Sequence, residues 1–412
     1  MLESQSDSRS EHEHLDQTHS SALIIPDLSG AVPTSVEARA KRRIAALEEE
    51  LHTMQQEKGK KQRFTTYYFA QGRVIRRMTV LYTSMEDLIA ENDRRCEQGF
   101  VDGSVERTTI EQDRLQRGYI ALAQALPWLH SKLGRIDIDD CEDMLKKLKR
   151  GADAARGDDT STLKGLVATW VNQDFRPSLL VRSDEKQLRG FAHNVCGKLL
   201  CPAEWDWSND CVKAGIRNRT SDYIVSENSW PLFLYKNYSF NANDLERGLF
   251  KSKILVQAFK AIFTSPSSAR EADGDGDGAD ILENNRRARQ ALNPVKVKMC
   301  VASIINMRKV TPRSIAYIVC QVHFALSNVS SWRTVDGDFD YESFWTNVVD
   351  FFEDVPGPAA QRRVDGLLEW WTRKVFGKNH REDLTPEVVS KMSVTTLAEQ
   401  RKALEDAAFN SK

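Results

Sequence analysis

Thr311-Pro312-Arg313-Ser314-Ile315-Ala316-Tyr317-Ile318-Val319-Cys320-Gln321-Val322-His323-Phe324-Ala325-Leu326 is the stretch from which the fold class can be read. Threonine offers an N-cap oxygen and proline a pre-set first-turn φ, so a helix opens here. Ile315, Val319, Val322, Leu326 and Val329 keep one face apolar, and Tyr317, Ile318 and Phe324 make other faces apolar too. A helix apolar on several sides belongs at the centre of a fold. Gln321 and His323 break the run well short of the roughly 18 residues a membrane span takes. The expectation is therefore a buried central helix and no membrane partner.

Outward from this helix the 3.6-residue period recurs, which predicts a mainly α, irregular multi-helix globular domain. Towards the C-terminus, residues 341–353 carry Phe344, Val348 and Phe351 in register, and residues 360–376 carry Val364, Leu367, Leu368, Trp371 and Val375. On the N-terminal side, helices are expected at 71–92, at 113–126 up to Pro127, at 139–150, at 160–173 with Thr160 as cap, and at 245–263. Between residues 175 and 243, Pro177, Pro202 and Pro231 alternate with Trp205, Trp207, Tyr223, Trp230 and Tyr235. That composition predicts an irregular, aromatic-packed stretch with short strands at 223–225 and 232–235.

The 412 residues are 41% hydrophobic with a net charge of -1, enough to fill a core and too balanced to imply any global affinity for polyanions or membranes. Residues 1–34, polar and holding Pro26 and Pro33, are expected to be disordered. In 35–57, Ala40, Ile44, Leu47, Leu51 and Met54 alternate steps of four and three, the spacing of a short N-terminal coiled coil and a route to a homodimer. Residues 58–380 read as one domain with a flexible excursion at 269–298, and 381–412 as a polar tail with a weak helix near 396–409. The first residues lack a signal-peptide pattern, and Cys96, Cys141, Cys196, Cys201, Cys211, Cys300 and Cys320 form no dense disulfide framework. An intracellular protein of the nucleus or cytoplasm, not secreted, is expected.

Charge is concentrated at one place, residues 58–77, where Lys58, Lys60, Lys61, Arg63, Arg73, Arg76 and Arg77 interleave with Phe64, Tyr67, Tyr68 and Phe69. Cations among aromatics suit a polyanion whose bases stack. The expected nucleic-acid contacts are Lys60, Lys61, Arg63, Arg73, Arg76 and Arg77 on phosphates, with Tyr67 stacking. On a continuous 71–92 helix the three arginines centre roughly 140° from the apolar stripe, which would leave them in solvent.

Other clusters point to different chemistry. Asp153, Asp158 and Asp159, or Asp336, Asp338, Asp340 and Glu342, would serve a metal-dependent nucleic-acid enzyme if they converged, while acids at a helix start equally favour its dipole. Asp273, Asp275, Asp277 and Gly278 match four positions of a calcium loop, but Asp280 and Asn284 stand where an apolar residue and a closing glutamate belong. His193, Cys196, Cys201 and Cys211 have zinc-binding chemistry at spacings of no strong zinc pattern. Phosphate-binding, nucleophile-elbow and zinc-protease motifs do not occur. The expectation is a non-enzymatic binding or scaffold protein without a cofactor.

Five blocks carry a resemblance: Gln71-Gly72-Arg73-Val74-Ile75-Arg76-Arg77; Arg189-Gly190-Phe191 with Leu199-Leu200-Cys201-Pro202; Trp230-Pro231-Leu232-Phe233-Leu234-Tyr235; Ile262-Phe263-Thr264-Ser265-Pro266-Ser267-Ser268; and Val310-Thr311-Pro312-Arg313-Ser314-Ile315-Ala316-Tyr317. In these the chain resembles a family of uncharacterised proteins abundant in mushroom-forming basidiomycete fungi. The resemblance implies one domain over residues 64–376 and brings no activity, cofactor or active site with it. The family's lineage expansion implies an association with mobile elements or genome conflict. Members often carry Asn-His and Thr-Gly where this chain has Ala192-His193 and Cys196-Gly197, so the resemblance lends zinc no support.

Overall fold

The structure is a computed structural model that describes residues 43–44, 47–51, 65–98, 108–290, 299–377 and 384–410. It divides into Met1–Gln62 and Arg63–Lys412. In the first unit the described residues are helical and expose Ile44, Leu47 and Leu51. The expected disordered residues 1–34, most of the expected coiled coil, and Lys60, Lys61 and Arg63 lie outside the described residues.

In the second unit, α1 (residues 65–72) and α2 (Ile75–Met78) lead into α3 (Met85–Gln98), α4 (Ile110–Ala125), α5 (Leu129–Leu133) and α6 (Ile138–Phe175). The aromatic stretch holds α7 (Asn194–Leu200) and α8 (Asp210–Asn218) among short 3-10 turns. Then come α9 (Lys253–Phe263), α10 (Gly278–Gln290), α11 (Val301–Ile304) and α12 (Pro312–Leu326). An antiparallel hairpin of β1 (Val335–Asp336) and β2 (Phe339–Asp340), in which Val335 faces Asp340, precedes α13 (Tyr341–Glu353) and α14 (Pro358–Phe376). Helices α15 (Pro386–Ser390) and α16 (Ser393–Asn410) complete a mainly helical protein. Among the described residues no helix is long and apolar enough to cross a membrane.

Helix α12 lies at the centre, as its sequence predicts. The Thr311 hydroxyl accepts the Ser314 N–H at 3.3 Å, the Ser314 hydroxyl accepts the Thr311 N–H at 3.0 Å, and every residue from Arg313 to Leu326 is buried. Helices α2, α6, α7, α9 and α13 pack around it. Each large apolar side chain so buried contributes about 1.5–3 kcal/mol, which makes α12 the element on which the others are assembled.

Five expectations are corrected. The 71–92 helix is broken between α2 and α3, where the Ser84 hydroxyl accepts the Asp87 N–H at 3.0 Å and starts α3 afresh. The two helices expected at 139–150 and 160–173 are one, α6. Its buried stripe runs unbroken through Leu148, Ala152, Ala155, Leu163 and Val167, and the Thr160 hydroxyl bonds back to Arg156 O at 2.8 Å instead of capping. The strands expected at 223–225 and 232–235 are replaced by 3-10 turns at Ser221–Tyr223 and Leu232–Leu234, and the helix expected from 245 starts at Lys253. Finally, the excursion at 269–298 contains α10, packed against α11 and α14, with residues 291–298 outside the described ones.

Candidate nucleic-acid interface

Two glycines decide where the arginines of residues 73–77 go. A Cβ on Gly72 would stand 2.0 Å from Leu148 O, and one on Gly151 would stand 2.0 Å from Phe69 O. Only glycine lets α1 cross α6 with the backbones this close. The crossing sets the turn after α1 over the middle of α6, where Asp153, Asp158 and Asp159 lie.

Each arginine then meets one of these acids. Arg73 bonds Asp158 at 2.7 Å, Arg76 bonds Asp153 at 3.1 Å, and Arg77 forks onto both oxygens of Asp159 at 2.8 and 2.7 Å. Arg76 and Arg77 are 7% and 4% exposed. The expectation that they stand in solvent is corrected: it rested on one continuous helix, and the break after α2 together with the glycine crossing turns them inward.

The innermost pair belongs to a fully bonded network. Tyr317 donates to Asp159 at 2.7 Å, Gln321 Nε2 donates to the Tyr317 hydroxyl at 3.1 Å, and the Thr160 hydroxyl, shared with Arg156 O, lies 3.0 Å from Gln321 Oε1. Burial opposes the charge on Arg77, but hydrogen bonding to Asp159 and its charge hold the guanidinium's pKa above its ordinary value. Burial and then the Asp159 charge push the Tyr317 pKa well up, so it stays a donor. Three elements are thus locked by charge-assisted bonds in a dry interior, where a satisfied network is strong.

Most of the acids proposed for metal chemistry are therefore engaged elsewhere. Asp153, Asp158 and Asp159 hold the arginines; Asp338 pairs with Arg219 at 2.6 Å, Asp336 with Arg333 at 3.4 Å, and Asp340 caps α13 by accepting the Glu342 N–H at 2.8 Å. Asp275 of the calcium-like run pairs with Arg373 at 3.2 Å. His193 caps α7 through Nδ1 and places Nε2 2.8 Å from Leu179 O, so both ring nitrogens are occupied. Burial pushes the Cys196 and Cys201 thiols up to about 12, and Cys211 lies exposed. Among the described residues no three His, Cys, Asp or Glu side chains gather to hold a metal.

Uncompensated positive charge lies elsewhere in the domain. Two adjoining grooves of about 780 and 740 Å³ share Arg247 and Lys251; the first adds Arg362 and Arg363, the second Lys236, Phe240 and Trp370. Backbone bonds from Lys236 N–H to Gly248 O at 2.8 Å and from Lys251 N–H to Leu234 O at 3.2 Å bring these two segments together. The Lys251 and Lys374 ammoniums lie 5.4 and 6.0 Å from the Trp370 ring centre. Glu246 on the rim is taken by Arg363 at 2.6 Å, which leaves Asp244 as the other acid lining the grooves. No carboxylate among the described residues comes within ion-pair distance of Lys236, Arg247, Lys251 or Arg362. Burial and then neighbouring Lys236 lower the Lys251 pKa, as crowded like charges do.

The backbone around this surface is strained. Asn237, Tyr238 and Phe250 hold φ of 57°, 53° and 55°, a left-handed conformation costing roughly 1 kcal/mol or more for a residue with a Cβ. Such strain collects at functional sites. Sequence reading missed this surface because its cations are scattered; the legible signs were Asn237 and Gly248, residue types that tolerate left-handed backbone. Of the contacts expected from the sequence, Tyr67 is 45% exposed, with ring contacts to Tyr68 and Trp128 at 5.5 and 5.8 Å.

Comparison with known families matches residues 150–376 to a family of unknown function, DUF6698. No curated protein and no solved structure matches the chain significantly.

Proposed function

We propose, for a chain that belongs to the DUF6698 family and takes no assigned activity from it, that this is a non-enzymatic helical binding protein that holds a nucleic-acid backbone in the groove around Trp370. One observation carries the reading: Lys236, Arg247, Lys251 and Arg362 share a groove system and have no acid partner among the described residues, whereas Arg73, Arg76 and Arg77 each have one. Unpaired cations release the counterions of a polyphosphate when it binds, and aromatic rings beside them receive bases. All of these groove residues fall inside the span matched to the family. Lys60, Lys61, Arg63 and Tyr67 are kept as a second set of contacts.

Fluorescence anisotropy of labelled single-stranded DNA, duplex DNA and RNA against the full chain, at several salt concentrations, tests this. Affinity should fall steeply with salt, and replacing Lys236, Arg247, Lys251 and Arg362 together by Gln should abolish it. Binding that survives the fourfold replacement, or no binding at low salt, would overturn the proposal.

The same reading places the protein inside the cell, in nucleus or cytoplasm, in a family at home in mushroom-forming fungi. A homodimer through residues 44–51 is a second reading, supported by the exposure of Ile44, Leu47 and Leu51 at 55%, 49% and 55%. Light scattering of the chain and of the variant carrying Leu47→Asp and Leu51→Asp would read it as a change from twice to once the chain mass.

A further inference from the structure

A separate pocket of about 270 Å³ opens where the aromatic stretch after α6 meets the end of α12. Phe191, Ile216, Tyr223 and Val225 contribute apolar surface; His323 and Phe339 line it as well. His323 is only 7% exposed. The Phe339 ring stacks on its imidazole with centres 4.1 Å apart and planes 11° apart. Nδ1 lies 2.9 Å from the Tyr341 hydroxyl, while Nε2 has no hydrogen-bond partner among the described residues. With no protein partner, Nε2 is left to bond a molecule that enters the pocket His323 lines.

The pocket carries no spare charge. Burial and then the charge of Lys186 push the His323 pKa down to about 3, so the imidazole is neutral near pH 7. At the mouth Arg219 is taken by Asp338 at 2.6 Å, and Asp336 by Arg333 at 3.4 Å. An anionic ligand finds no free cation and two carboxylates. A ring with a donor next to an acceptor suits Nε2 in whichever tautomer the Tyr341 hydroxyl selects.

We infer that this pocket binds a small uncharged heteroaromatic molecule of nucleobase or nucleoside size, held by a hydrogen bond to His323 Nε2 and by ring contact with Phe191 and Tyr223. The volume is at the small end for ligand pockets, which favours a single base or nucleoside over a nucleotide cofactor. Neither the groove cations nor Trp370 take part, so the two sites stand or fall separately.

Isothermal titration calorimetry of the full chain with adenosine, guanosine, cytidine and uridine tests the inference. At least one should bind saturably, with a Kd below about 1 mM. His323→Phe, which keeps a ring and removes Nε2, should weaken that binding at least about tenfold. Ile224→Trp should do the same by narrowing the pocket from a lining position 48% exposed, where the fold tolerates a larger side chain. If circular dichroism shows His323→Phe misfolded, Ile224→Trp decides alone. No binding of any of the four nucleosides, or undiminished affinity in the folded variants, overturns the inference.

Discussion

Arg73, Arg76 and Arg77 crowd into five residues of sequence, whereas Lys236, Arg247, Lys251 and Arg362 are scattered over two distant segments. The dense cluster is the neutralised one. Arg77 and Asp159 lie 82 positions apart in the chain, and folding brings them to 2.7 Å. The scattered cations gather in one groove system, and Lys236, Arg247, Lys251 and Arg362 pair with no acid among the described residues. Density of charge along a chain therefore says little about charge available to a partner. What matters is whether opposite charges elsewhere in the sequence fold onto it.

The comparison can be broken most directly at its buried end. Arg77→Ala leaves Asp159 charged and unpaired in the interior, with an expected loss of about 3–5 kcal/mol in unfolding free energy. An unfolding free energy from urea titration within about 1 kcal/mol of the parent would mean that Arg77 is not locked inside and that the cluster is free after all. Replacing the three arginines by glutamates should for the same reason unfold the domain, so that variant cannot report on binding.

Gly151→Ala sharpens the cause. A methyl group 2.0 Å from Phe69 O forces α1 off α6, with an expected cost of about 1–3 kcal/mol. The same melt recorded with Gly165→Ala, where nothing lies within 4 Å, should show no loss. Equal behaviour of the two variants would remove the glycine crossing as the reason for the inward turn.

Arg73→Ala probes the outer edge of the same cluster. Its side chain is 33% exposed and that of Asp158 is 66% exposed, so water screens the pair and its loss should cost about 0–1 kcal/mol. The smallest effect on stability is expected in the groove. Lys251→Gln should shift unfolding by no more than about 0.5 kcal/mol, because no acid is left unpaired. It should also lower the slope of log affinity against log salt by roughly one unit in the anisotropy titration. A large loss of stability there would mean that the lysine is structural.

Local chemistry was legible where a single segment contains its own reason. Thr311, Pro312 and Ser314 start α12, and its all-round apolar surface places it at the core. Pro127 ends α4 within two residues of its last turn. The Ser84 cap that starts α3 went unread, because the apolar stripe continues on both sides of the break. Residues 153–159 and 73–77 were each read as a site because each segment was taken alone. An acidic run and a basic run of matched charge are also what two packing partners look like.

The sequence by itself determined a mainly helical fold built around α12, because caps and 3.6-residue periodicity are local and survive in any context. Only the tertiary structure decided which charges are spent and which are free. An ion pair forms between residues far apart in the chain, and its burial depends on a helix crossing that needs glycine at both Gly72 and Gly151. Likewise Lys236 and Lys251 become neighbours only when the backbone around Gly248 turns them together. Coulomb energy depends on distance in space and on the surrounding dielectric, and neither is written in the order of residues.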